Sequence, residues 1–266
     1  MEILQSIVLA IVQGLTEFLP ISSSGHLVVL PWIFKWKDPG LSFDVALHFG
    51  TLLAVLLYFR KDIIDIFRAL LRFKQTGSST NQYSKNFFWI LLAATVPGAL
   101  AGFLLEPYAE ELFRHPLLVA GNLILLGLVL YIADYYAQKN KEKFQINWKR
   151  GILIGLAQGL AILPGVSRSG ATITAGLFLG LDRVSSARFS FLLSAPIIFG
   201  ASILKSRDLV EKGLGLPELV GIITAALSGY LAIAGLIKFV ERASYRIFFW
   251  YRLGLGLLII FLWLAR

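Results

Sequence analysis

The sequence predicts an all-α, polytopic membrane protein built from two inverted repeats, with six transmembrane helices and two re-entrant helix pairs. Three observations carry this expectation. Of 266 residues, 57% are hydrophobic and only 15% charged, and the mean hydropathy is +0.73, a composition typical of helical membrane proteins. Apolar runs recur along the whole chain, with most of the basic residues in the gaps between them. A segment in the first half also reappears in the second without gaps.

The chain opens with an apolar helix over residues 2–19, interrupted by Gln5, Gln13, Thr16 and Glu17 and ended by Pro20. No basic region precedes it and Glu2 opposes a cleavable signal, so this stretch is expected to be retained. ISSSGH and a short apolar segment from Leu27 to Phe34 follow. Neither piece reaches the roughly 20 residues of a comfortable span. Two short helices broken by Pro, Ser and Gly predict a re-entrant pair, a backbone tolerated at membrane depth only inside protein or beside a wet cavity.

Phe43 to Phe59 reads as the first full span, followed by a basic amphipathic segment from Arg60 to Lys74 that lies in the interface. After a polar loop the second span runs near Asn86 to Leu105, and Glu106, Glu110 and Glu111 make the next loop acidic. The third span covers Pro116 to Tyr136 and leads into a basic loop, Gln138 to Arg150. Gly151 to Leu163 repeats the opening pattern, with Gln158 inside it and Pro164 at its end, and the return runs from about Ser169 to Leu181. Spans near Phe189 to Leu204, Pro217 to Phe239 and Ile247 to Ala265 complete the chain.

The internal match aligns QGLTEFLPISSSG, from Gln13, with QGLAILPGVSRSG, from Gln158. A Gln, two Ser and two Gly in register exceed what chance similarity between apolar segments supplies. The repeats are assigned to 1–137 and 146–266 within one membrane domain. One set of loops holds most of the lysines and arginines and should face the cytoplasm. Each half then has an odd number of full spans, so the second is inverted and the two broken tips meet near the midplane, as in inverted-repeat transporters. The same loop logic explains the net charge of +9, so no nucleic-acid partner is expected. The chain has no cysteine and only three histidines, His26, His48 and His115, which excludes thiol chemistry and an all-histidine metal centre.

The tips carry the polar residues that an apolar chain would otherwise avoid. The second offers Ser167, Arg168, Ser169 and Thr172, and Arg168 has no acidic neighbour nearby in sequence. An arginine at membrane depth marks a binding or transport site, and this setting suits a phosphate-like anion. The first tip offers Gln13 and Glu17, four apart on one helix face, then Ser22, Ser23, Ser24 and His26. Serines ahead of a helix commonly cap it, the ordinary role for Ser22 and Ser24. Glu17 could act as structural glue for Arg168, but a carboxylate and a guanidinium set opposite by inversion fit a site better. Asp44 and His48 are expected to be supporting or structural residues.

These motifs resemble the undecaprenyl-pyrophosphate phosphatases of the bacitracin-resistance type. The match runs through Gln13 to Glu17 within QGLTE, through PISSSGH with Ser23 and His26, and through Pro164, Gly165, Ser167, Arg168, Ser169 and Thr172. FDVALHFGT around Asp44 and RFSFLLSAP from Arg188 extend it. The resemblance implies an integral enzyme of the bacterial plasma (inner) membrane, with its pocket opening outward. It would hydrolyse a C55 polyprenyl diphosphate to the monophosphate and inorganic phosphate, recycling the lipid carrier for cell-wall synthesis and conferring bacitracin resistance. It also implies a divalent cation, Mg2+ or Ca2+, which Glu17 and Gln13 would hold. In that reading Ser23 is the nucleophile, activated by His26, and Arg168 clamps the phosphate. Ser22, Ser24, Ser167, Ser169 and Thr172 line the substrate. Covalent chemistry at His26 and direct attack by water are the alternatives. Membrane lipid surrounds the protein, and the reading leaves a homodimer open. A transporter or flippase of a polyprenyl phosphate is the competing function, because fold alone does not separate the two.

Overall fold

The computed structural model describes residues 2–37, 39–71, 83–111, 115–137, 145–212 and 215–265. The structured elements there are helices: α1 (Ile3–Phe18), α2 (Ser23–Phe34), α3 (Leu41–Tyr58), α4 (Arg60–Leu71), α5 (Phe87–Glu111), α6 (Pro116–Ala137), α7 (Trp148–Gly159), α8 (Arg168–Phe178), α9 (Arg183–Lys212), α10 (Leu216–Val240) and α11 (Arg246–Leu264). A 3-10 turn, Leu160–Ile162, extends α7. Among the described residues five helical stretches are long and apolar enough to cross a membrane: Phe87–Leu105, Pro116–Ala137, Arg183–Leu204, Leu216–Val240 and Arg246–Leu264. The expected span at Phe43–Phe59 qualifies only together with α4, from which it is bent by 71°. Much of the polar loop before α5 and of the basic loop after α6 lies outside the described residues.

Helix contacts cross between the two halves of the sequence. α1 packs mainly on α10, which also packs on α3, while α7 packs on α5 and α6 on α11. Small residues let these backbones approach. A Cβ on Gly14 of α1 would sit 1.9 Å from Ser228 Oγ and 2.8 Å from the Ala225 carbonyl oxygen of α10. A Cβ on Gly155 of α7 would lie 2.3 Å from the Ala94 carbonyl oxygen of α5. In lipid, where apolar side chains gain nothing by leaving water, association rests on such close packing.

The main core joins Phe18 of α1, Phe59 after α3 and Phe191 of α9, with the Phe18 and Phe191 rings edge to face at 5.3 Å. Two ion-paired clusters hold the start of α9. Arg183 grips the fully buried Asp134 of α6 through Nε at 2.6 Å and Nη2 at 2.9 Å, and Ser244 Oγ donates to the same carboxylate at 2.5 Å. Asp62 of α4 accepts from Arg188 and from the Tyr83 hydroxyl. Burial and the hydrogen bond to Asp62 both push the Tyr83 phenol up, so it keeps the proton it donates. Charges that read as loop residues in the sequence are therefore tertiary fastenings, which position α9 and with it Ser190.

Candidate active site

Pro20 fixes where α1 stops. Its ring disfavours the helical conformation at Leu19, which is extended at φ −68° and ψ 138°. The chain then turns through Ser22, whose φ is +74°, a value that costs any residue with a Cβ. Ser22 Oγ offsets part of that cost by capping α2, accepting from Gly25 N at 3.2 Å. The second tip repeats the construction. Ser167 has φ +72° and its Oγ caps α8 by accepting from Gly170 N at 3.0 Å. In both tips the capping hydroxyl also meets the serine two residues on, Ser24 at 3.3 Å and Ser169 at 3.2 Å. Ser22 is thus a cap, as the ordinary reading of its position expected, whereas Ser24, given the same reading, lies inside α2 and Ser167 takes the matching role on α8.

The tips are joined to each other. Gly165 N donates to Ser22 Oγ at 3.0 Å, and Ser169 Oγ donates to the Leu19 carbonyl at 3.1 Å. Arg252 of α11, with no exposed surface, fastens both. Its Nη1 donates to the Pro20 carbonyl at 3.1 Å, its Nη2 to those of Gly165 at 2.8 Å and Val166 at 3.2 Å, and its Nε to Leu123 at 2.9 Å. A guanidinium without a carboxylate thereby satisfies carbonyls that the broken helices leave open.

Between the tips, Glu17 collects the polar groups. Arg168 reaches Glu17 Oε1 through Nη2 at 2.8 Å and Nε at 3.3 Å, and its Nη1 donates to the Ser190 carbonyl at 3.3 Å. Glu17 Oε2 accepts from Ser23 Oγ at 2.5 Å and from Gln13 Nε2 at 3.0 Å, and His48 Nε2 stands 3.4 Å away. Glu17 is only 4% exposed, whereas Ser23 and His48 are half-buried and form the accessible edge of the group. Thr172 Oγ1 bonds Ser190 Oγ at 2.6 Å and donates to the Arg168 carbonyl at 2.8 Å, which places it behind the arginine rather than at its face.

His26 does not meet Ser23 as the sequence reading expected. Its Nδ1 lies 2.7 Å from the Ser22 carbonyl and its Nε2 lies 2.7 Å from the Tyr251 hydroxyl. A carbonyl only accepts, so Nδ1 carries the hydrogen and Nε2 accepts from tyrosine. The rings of His26 and Tyr251 also stack, 5.7 Å apart and inclined by 14°. The group that takes the Ser23 hydroxyl hydrogen bond is Glu17.

Two contributors, Arg252 and Ser190, were not singled out from the sequence, and a third was placed further from the site than it lies. His48, expected to be supporting or structural, touches the central carboxylate directly, with its Nδ1 held by the Asp44 carbonyl at 2.7 Å. Arg252 stands alone in the last span, a lone charge at membrane depth that was readable in principle. Ser190 lies in the RFSFLLSAP segment that extends the family resemblance, but nothing in its type or spacing marks it as a site residue. Gln158, the counterpart of Gln13, sits beside Gly98 of α5 rather than with Glu17.

No three of His, Asp and Glu converge as a metal set among the described residues. One feature does fit a hard cation: Gln13 Oε1 is buried with no hydrogen-bond partner, beside the Glu17 carboxylate. A cation that draws its other ligands from phosphate oxygens needs few from protein.

A family profile described as "Bacitracin resistance protein BacA" matches residues 6–258. The chain belongs to this family. Its relatives include an undecaprenyl-diphosphatase of Moorella thermoacetica, 49% identical over 267 residues and covering 100% of both chains. A protein of the same name from Pelotomaculum thermopropionicum is 47% identical over 266 residues, covering 100% of this chain and 98% of its own. Another, from Desulforudis audaxviator, is 48% identical over 263 residues, 98% of each. Family membership and the spanning helices make the chain an integral membrane protein.

Proposed function

We propose that the protein hydrolyses undecaprenyl diphosphate to undecaprenyl phosphate and inorganic phosphate. It would recycle the lipid carrier of cell-wall synthesis and confer bacitracin resistance. The observation that carries this reading is the convergence of a carboxylate, a guanidinium and a half-exposed hydroxyl at Glu17, Arg168 and Ser23. Relatives named for the activity match along the whole chain, and the transport alternative has no comparable support.

In this reading Arg168 exchanges Glu17 for oxygens of the arriving diphosphate, a bidentate arrangement its planar fork favours. Glu17 is then left to accept the Ser23 proton through the hydrogen bond already in place. Ser23 Oγ attacks the terminal phosphorus in line, the Oγ–P bond forms, and the bridging P–O bond breaks. Its electron pair leaves with undecaprenyl phosphate. Water then cleaves the phosphoserine, with Glu17 returning the proton to Ser23. The backbone N–H groups that open α2 and α8 face the negative charge. A divalent cation, Mg2+ or Ca2+, would rest on Gln13 Oε1 and Glu17 and supply charge neutralisation for the diphosphate. His26, bonded to Tyr251 and to the Ser22 carbonyl, positions the turn that carries Ser23.

The proposal includes the two inverted halves, 1–137 and 146–266. The matching turns at Ser22 and Ser167 and the packing of α1 on α10 and of α7 on α5 support it. It also places the protein in the bacterial plasma membrane with the site opening outward, as the family resemblance implies, and takes the orientation of the helices from loop charge. The test is phosphate release from C15 and C55 diphosphates by purified protein in detergent. Absence of release would overturn the hydrolase reading. A covalent phosphate retained by Ser23→Ala would remove Ser23 as the nucleophile.

A further inference from the structure

Beside the first tip the surface opens into an apolar groove of about 430 Å³, within the roughly 300–1,000 Å³ of pockets that hold small organic ligands. Its inner end is formed by Leu15, Leu19 and Ile21, which bracket the turn at Pro20. One wall is the second half of α10, including Ala232, Gly235 and Phe239, and the other is the start of α11, including Phe248 and Tyr251. The lining presents hydrocarbon, so the groove offers nothing to a phosphate and suits a chain of carbon.

We propose that this groove holds the isoprenoid chain of the substrate, in the stretch adjoining the diphosphate. The inference rests on the hydrolase reading and adds where the chain lies. Two continuities favour a substrate chain over an arbitrary membrane acyl chain. Leu19 and Ile21 sit between Glu17 and Ser23 in sequence, and the Leu19 carbonyl is itself bonded by Ser169, so the groove starts on the backbone of the reactive tip. Tyr251 lines the groove while its hydroxyl bonds His26 Nε2 at 2.7 Å, so groove and site share a residue. A diphosphate held at Arg168 brings its first isoprene units to this tip, and hydrocarbon there gains by contact with Phe239, Phe248 and Tyr251. Chain length is then read by how much of the groove is filled, which makes the α10–α11 wall a specificity determinant.

Gly235 supplies the test. Gly235 lines the groove and a Cβ there meets nothing within 4 Å, so a larger side chain has open space from which to fill it. Gly254 of α11 is equally open but lies outside the lining, so it serves as the control. Phosphate release by wild type, Gly235→Phe and Gly254→Phe is compared on C5 and C15 diphosphates in detergent. The expected result is a rise of about tenfold in KM for the C15 substrate alone, from the lost burial of several carbons. C5 kinetics and the Gly254 variant should stay within about twofold of wild type. A photoreactive C15 diphosphate should label 232–251 of the wild-type protein, competed by unlabelled C15 diphosphate and not by phospholipid, a readout that does not depend on the variant folding. Equal effects on C5 and C15, no effect on either, or labelling that phospholipid displaces would overturn the assignment. With wild-type hydrolysis intact, any of these results removes the groove and leaves the hydrolase. Absence of wild-type hydrolysis removes both.

Discussion

Glu17 and Arg168 stand 151 positions apart in the chain and meet at 2.8 Å between the two broken tips. Each is the other's partner in a region where an unpaired charge is expensive, and each carries groups that matter only because of that meeting. Ser23, Gln13 and His48 are arranged around the carboxylate, while Ser190 and Thr172 sit behind the guanidinium.

Arg168→Lys should lose most activity even though charge is kept. A single ammonium cannot present a planar fork to Glu17 or to phosphate. Phosphate release from a C15 diphosphate should fall about 10²-fold or more in kcat/KM, the scale of removing a preorganised donor. Activity within a few-fold of wild type would show that the fork is not used.

His48→Leu tests whether the imidazole positions Glu17. It should lower kcat about tenfold or more with little change in KM, while His48→Gln, which restores a donor toward Glu17, recovers much of the loss. A parallel loss in both variants would assign His48 to packing instead.

Arg252→Met should weaken the protein as a whole. It strips the donors from the carbonyls of Pro20, Gly165, Val166 and Leu123, and each buried carbonyl left open costs about 1–3 kcal/mol. A clearly lower melting temperature in detergent is expected, together with a loss of activity as the tips separate. An unchanged melting temperature would contradict the fastening role.

Gly14→Leu should disrupt the seating of α1 on α10. Any Cβ at this position falls 1.9 Å from Ser228 Oγ and 2.7 Å from the Gly229 amide nitrogen, and the latter is backbone that cannot step aside. The helix must shift, carrying Glu17 with it. Reduced yield of monodisperse protein and lost hydrolysis are expected. Gly254→Ala, with open space around it, should behave as wild type.

Much of the site was legible because lipid makes polarity conspicuous. Arg168, Glu17 and the serines around Ser22 and Ser167 interrupt apolar sequence, and an interruption in a span needs a reason. The same logic applies to Arg252, but a single arginine inside an otherwise smooth span has no counterpart in the other repeat to mark it. His48 was seen but its partner was not, because Glu17 lies on a different helix. The pairing of His26 with Ser23 was misjudged for a related reason. Three positions along a helix suggest proximity, but Tyr251 and the Ser22 carbonyl take both ring nitrogens.

By itself the sequence determined the class of the protein, the places where its helices break and the residues at those breaks. These follow from local rules: apolar length, proline, and serine caps ahead of glycine. Tertiary structure decided which of those residues meet. The direction of the Ser23 hydroxyl, the approach of His48 to Glu17 and the groove between α10 and α11 depend on how closely helices distant in sequence approach. That approach is set by small residues such as Gly14 and by one buried arginine, whose partners are backbone atoms and so leave no trace in residue identity.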